Sequence, residues 1–96
     1  MAKGYVIAHI AVDDMGKFGE FAAVAGPAIA QYGGKMLVKN PASEVREGEC
    51  GSLCVLLEFE SKAQAVTFYE SAEYQAAIPI RNSCSTTTLT IVEGLE

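Results

Sequence analysis

An α+β sandwich of order βαββαβ is what this sequence predicts, and three observations carry the prediction. Stretches rich in β-branched and apolar residues stand at 4–12, 35–40, 53–60 and 85–93. Helix-period segments separate the first two and the last two, at about 14–32 and 62–71. The middle pair is joined instead by a polar connection containing Pro, Ser and Gly. This is the split βαβ arrangement of ferredoxin-like domains. The 96 residues are expected as a single domain, 1–96. Right-handed crossovers should place both helices on one face of a sheet ordered 4-1-3-2.

Each element has its own signature. GYVIAHIAV, residues 4–12, alternates Tyr5, Ile7, His9 and Ala11 with Val6, Ala8, Ile10 and Val12. Both sets are mostly apolar, so both faces of the strand are expected to be covered. Asp13 and Asp14 offer N-cap oxygens for the first helix. Its apolar stripe runs through Met15, Phe18, Ala22, Ala25, Ile29 and Tyr32, with Phe21 beside it. Gly26-Pro27 predicts a kink, and Gly33-Gly34 a left-handed stop. KMLVKN, 35–40, makes the second strand, and PASEVREGECGS a long hairpin loop. On the third strand Leu53, Val55, Leu57 and Phe59 form one apolar face, while Cys54, Leu56, Glu58 and Glu60 point the other way. Ser61-Lys62-Ala63-Gln64 fits a capping box, with Gln64 reaching back to Ser61. Ser71 caps a further short turn, AEYQAAI, which Pro79 should limit. STTTLTIVE, 85–93, is the last strand.

Composition narrows the function classes. The net charge is -5, and the seven Lys and Arg residues are scattered, so there is no positive footprint for nucleic acid. No segment reaches about 18 apolar residues, and the N-terminal run is too short and interrupted for a signal peptide. A soluble cytoplasmic protein with no membrane partner is expected. Cys50, Cys54 and Cys84 are an odd count without metal-ligand spacing, so reduced thiols and no metal are expected. No P-loop, dinucleotide fingerprint or nucleophile elbow is present, and no cofactor is implied.

Several stretches taken together carry a family resemblance. "KGYVIAHIAVDD", "QYGGKMLVKN", the "EG" at 47–48, "LLEFES", "FYESAEYQAAIPIR" and "IVEG" resemble, in order and over nearly the whole chain, the family catalogued as domain of unknown function 1330. The Tyr-Gly-Gly and Ser-x-Glu-Tyr-Gln elements are the most specific. The resemblance implies a homodimeric α/β barrel in which two ferredoxin-like sheets pack face to face around a shared cavity. Related barrels include small oxygenases, isomerases, haem-handling enzymes and ligand-binding modules. Lys35, Leu53 and Cys54 depart from the family pattern, which weakens any anion-binding role carried over to them.

The candidate site follows from strand alternation. Strands one and three are expected as central, parallel neighbours, so His9 and Glu58 should project from the same face. A partner sheet would turn that face into a cavity wall. The acid could then orient the imidazole and raise its pKa, a pairing suited to proton transfer. It would equally suit a mutually satisfied structural pair that sets dimer register. Arg81 could clamp a substrate carboxylate, or bridge to Glu58, Glu73 or Glu93. Tyr74 offers a phenol at the cavity mouth or a packing aromatic. Tyr5 and Tyr32 read as core or rim aromatics, with Tyr5 a substrate contact from the His9 face. The functional expectation is a small-molecule cavity at the dimer sheet face, holding an apolar or weakly acidic molecule. Its enzyme form is a cofactor-free oxygenase or isomerase in which His9, assisted by Glu58, abstracts a proton. The alternative is a non-catalytic dimeric ligand-binding or structural module.

Overall fold

The computed structural model describes residues 2–96. Strands β1 (Gly4–Val12), β2 (Lys35–Asn40), β3 (Leu53–Phe59) and β4 (Ser85–Glu93) form one sheet in the order β2-β3-β1-β4. Helices α1 (Met15–Gln31), α2 (Lys62–Glu70) and α3 (Ala72–Cys84) complete a ferredoxin-like α+β fold. The Cα trace is a thin slab of 37 × 32 × 16 Å.

Every strand pair is antiparallel, including β1 with β3. The expected parallel β1–β3 pair is therefore corrected, and the reason is topological. The α1 crossover returns the chain so that β2 runs with β1. The 41–52 hairpin then reverses it, and β3 inserts between them running the other way. The register places Tyr5 opposite Glu58, Ile7 opposite Leu56, and His9 opposite Cys54.

Alternation sorts the faces as the sequence predicts. Val6, Ala8, Ile10, Leu53, Leu57 and Phe59 are buried under the helices. Val12 and Val55 are half-buried against the same core. An aromatic cluster fills the α2–α3 end: Phe68 lies 5.0 Å from Phe59 and 4.7 Å from Tyr74 between ring centroids. Met15, expected in the α1 stripe, is 66% exposed. The first buried position of α1 is Phe18, one turn later.

Caps hold the joints. Asp14 Oδ1 accepts from the Lys17 amide at 3.2 Å. Ser61 Oγ accepts from the Gln64 amide at 3.0 Å. Only half of the expected capping box forms, because the Gln64 side chain donates to the Tyr32 carbonyl at 2.9 Å. That bond ties α2 to the end of α1. Ser71 serves two helices: its hydroxyl donates to the Phe68 carbonyl and accepts from the Tyr74 amide. Gly33 takes φ 78, the left-handed stop. Gly34 is small for another reason, since a Cβ there would sit 2.7 Å from the Phe59 ring.

The expected short turn after Ser71 is instead a helix of thirteen residues that continues through Pro79. Its buried positions are Tyr74, Ala77, Arg81 and Cys84, spaced three, four and three apart. This stripe carries the helix across a proline that alone would disfavour it by about 3 kcal/mol. Helix α1 likewise runs unbroken through Gly26-Pro27. Among the described residues, no helix is long and apolar enough to cross a membrane.

Candidate functional site

Helix α1 finds its close backbone neighbours chiefly in α3. It stands off the sheet, and the residues that could fill the gap are small: Ala8 below, and Ala22, Ala25 and Gly26 above. A cavity of about 90 Å³ results. Val6, Ala8, Ile10, Val55 and Leu57 form its floor, and Phe18, Phe21 and Ile29 contribute to its roof. Met36 and Lys39 on β2 line one side, and Tyr74 and Arg81 on α3 line the other.

Arg81 is 7% exposed, a cation inside an apolar core. Its Nη1 donates to the Tyr74 hydroxyl at 2.8 Å. Its guanidinium carbon lies 5.9 Å from the centre of the Phe21 ring, within cation–π range. Its Nε is buried without a partner among the described residues. The ion pairs formed among those residues are Lys3–Glu60 and Glu44–Arg46, both at the surface. The expected bridges from Arg81 to Glu58, Glu73 or Glu93 do not form. Glu73 instead accepts from the Tyr32 hydroxyl at 2.9 Å. Among the described residues, Arg81 is thus a buried guanidinium without a carboxylate partner. Burial pushes the Tyr74 phenol above its ordinary value, against the pull of Arg81. It is therefore neutral near pH 7. Having accepted from Arg81, it keeps its own proton for a second acceptor.

The other predicted residues lie across the sheet. Tyr5, His9 and Glu58 project from the face that carries no helices, as alternation predicts. They do not converge as expected. Glu58 stands opposite Tyr5, four positions along β1 from His9, which is about 13 Å of strand. The Tyr5 hydroxyl donates to Glu58 Oε2 at 3.1 Å. That bond is the first cause raising the Tyr5 pKa, followed by burial and the nearby carboxylate charge. His9 has Cys54 and Thr88 as its cross-strand neighbours, and its Nδ1 is buried without a partner among the described residues. The expected His9–Glu58 pair is thus corrected to Tyr5–Glu58. Tyr74, read from the sequence as a phenol at the cavity mouth or a packing aromatic, lies on the helix side of the sheet, away from His9 and Glu58.

Five predicted residues therefore divide into two groups, with Tyr74 and Arg81 together in the cavity and Tyr5, His9 and Glu58 on the bare face. Sequence reasoning missed Phe21 and Lys39 as cavity residues. The available signal was the set of small residues, Ala8 and Ala25 in the core with Ala22 and Gly26 beside them on α1. Among the described residues, no group of three or more His, Cys, Asp or Glu assembles.

The comparisons with known proteins agree on the fold. The model of one protein family, Domain of unknown function (DUF1330), matches residues 3–95. A comparison with curated proteins finds no match. Among solved structures, the chain resembles a protein of unknown function from Rhodopseudomonas palustris, with TM-score 0.80 and 15% identity over 99% of this chain and 84% of that one. It also resembles a cofactor-independent oxygenase from Streptomyces nogalater, with TM-score 0.68 and 10% identity over 100% and 96%. A dimeric protein of unknown function with a ferredoxin-like fold, from Bacteroides fragilis, matches with TM-score 0.64 and 13% identity over 95% of both chains. Identities this low speak for shared architecture alone.

Proposed function

Since this chain belongs to the DUF1330 family, whose description names no reaction, we propose from its own residues that it is a small-molecule-binding protein. The cavity under α1 takes an apolar molecule bearing one acidic oxygen. Arg81 pairs with that oxygen, and the Tyr74 hydroxyl donates to it. The carrying observation is the buried guanidinium with no carboxylate partner. A folded chain gains nothing from an uncompensated interior charge, and an anionic ligand supplies the missing counter-charge. The test is calorimetric titration with benzoate and its neutral isostere benzamide. Benzoate should bind and benzamide should not, and Arg81→Met should erase the difference. Equal binding of both by the unaltered protein would sink the reading.

A second reading, cofactor-free oxygenation, is favoured by one combination: a fold shared with a cofactor-independent oxygenase and an Arg–phenol pair suited to an enolate or phenolate. Such an anion would be stabilised beside Arg81 and react with dioxygen. His9 and Glu58 stand across the sheet from that cavity, so they serve no part of it. Oxygen uptake that depends on an ionisable aromatic substrate and disappears with Arg81→Met would support this reading. Binding without uptake would leave the protein a binding module.

The bare sheet face is the proposed homodimer surface. It carries the half-buried Ile7 and Leu56, with Val92 exposed at its edge. The fold-mate from Bacteroides fragilis is dimeric. A second copy would cover His9 and the Tyr5–Glu58 bond and give this thin slab a second core.

A further inference from the structure

A further hollow under α1 adjoins Arg81's cavity. This second hollow, of about 380 Å³, lies between the first turns of α1 and the near ends of β1 and β3. Ile10, Phe18, Ala22 and Lys39 line both hollows, so the two are adjacent. The outer walls are chiefly apolar, with Val12, Met15, Gly19 and Leu53 among them. No carboxylate lines either part. Taken together, the adjoining hollows have a buried guanidinium in the first, chiefly apolar walls in the second, and one ammonium, Lys39, on the boundary they share. This local positive character stands in a protein of net charge -5. Met15, a large apolar side chain left 66% exposed, lines the second hollow.

Resting on the binding reading above, we infer that the ligand is a long-tailed monoacid, such as an alkanoate, bound head-first. Its carboxylate meets Arg81 and Tyr74, and its tail lies outward beneath Gly19 toward Met15. The opposite orientation would leave the acid at Lys39 and Arg81 still buried and unpaired. It would also crowd the tail into the smaller hollow and leave the larger apolar one empty. Lys39 steers the carboxylate inward as it passes.

Calorimetric titration with butanoate, hexanoate, octanoate and decanoate tests this. Affinity should rise about four-fold per added methylene. Gly19→Leu blocks the second hollow; a Cβ at Gly19 meets open space, and Leu favours the helix. This variant should bind butanoate as before and lose the dependence on chain length. Lys39→Met should slow association and weaken its salt dependence while keeping the dependence on chain length. Equal affinity for butanoate and decanoate, or an unchanged chain-length slope in Gly19→Leu, would overturn the tail assignment and leave the binding reading intact. Binding lost in Lys39→Met but kept in Arg81→Met would overturn the head-first orientation. If no acid binds better than its amide to the unaltered protein, the binding reading falls first.

Discussion

At the scale of single residues, Arg81 and Tyr74 are the informative pair. A buried charge retained without a partner should be a stability liability. Arg81→Met is therefore expected to leave stability unchanged or raise it by about 1–3 kcal/mol, read by urea unfolding. A clear loss would instead make Arg81 a structural anchor. Tyr74→Phe removes the acceptor for Arg81 Nη1 and should cost about 1–3 kcal/mol. The Tyr74 phenol also makes stability fall at alkaline pH. Its folded pKa lies above its unfolded one, so its contribution is full below the ordinary phenol value of 10.0. That contribution is lost as pH rises through the folded value. In phenolate absorbance, the late ionisation that accompanies unfolding should be the one lost in Tyr74→Phe. The sequence marked both residues, with Arg81 either clamping a substrate carboxylate or bridging to Glu58, Glu73 or Glu93. The i, i+7 spacing that joins it to Tyr74 shows only once α3 is known to continue through Pro79.

At the scale of elements, alternation and capping made most of the fold legible. The inward sets on β1 and β3, Ser61 and Ser71 as caps, and Gly33 as a stop all stand where the sequence places them. Strand direction was misread: the hairpin between β2 and β3 sets it, and that reversal separates His9 from Glu58. The cavity was illegible for a different reason. A 3.6-residue stripe tells which side of α1 faces inward, not how far the helix stands from the sheet. Gly19 and Gly26 in α1 are exposed. Gly19 would place a Cβ in open space. Alanine at Gly19 should stabilise the protein by about 0.5–1 kcal/mol, measured by thermal unfolding, whereas at Gly26 a Cβ would meet the ring of Pro27. The joint between α1 and α3 carries its own pH signature. A backbone hydrogen bond and then the Tyr32 hydroxyl hold the Glu73 carboxyl below its ordinary 4.5. The stability it adds is present above that value and is lost as pH falls through the lowered one. Tyr32→Phe should flatten the acid limb of the pH–stability curve. An unchanged limb would assign it to other carboxylates.

At the scale of the whole molecule, a two-layer slab with one bare sheet face is open to self-association. Leu56→Lys should give a monomer in sedimentation at concentrations where the parent protein is dimeric. A monomeric parent would remove the dimer, and His9 would then face water. The stand-off of α1 also shapes how the native state breathes. Held mainly by α3, with the Gln64–Tyr32 bond at its far end, α1 has fewer close backbone ties to the sheet than α2. It should be the least protected helix in native-state deuterium exchange, opening in partial unfolding events that leave β1, β3 and β4 paired. A bound acid bridging α3 and the underside of α1 would close that route. Slower exchange confined to α1 would then report an occupied cavity before any reaction is known.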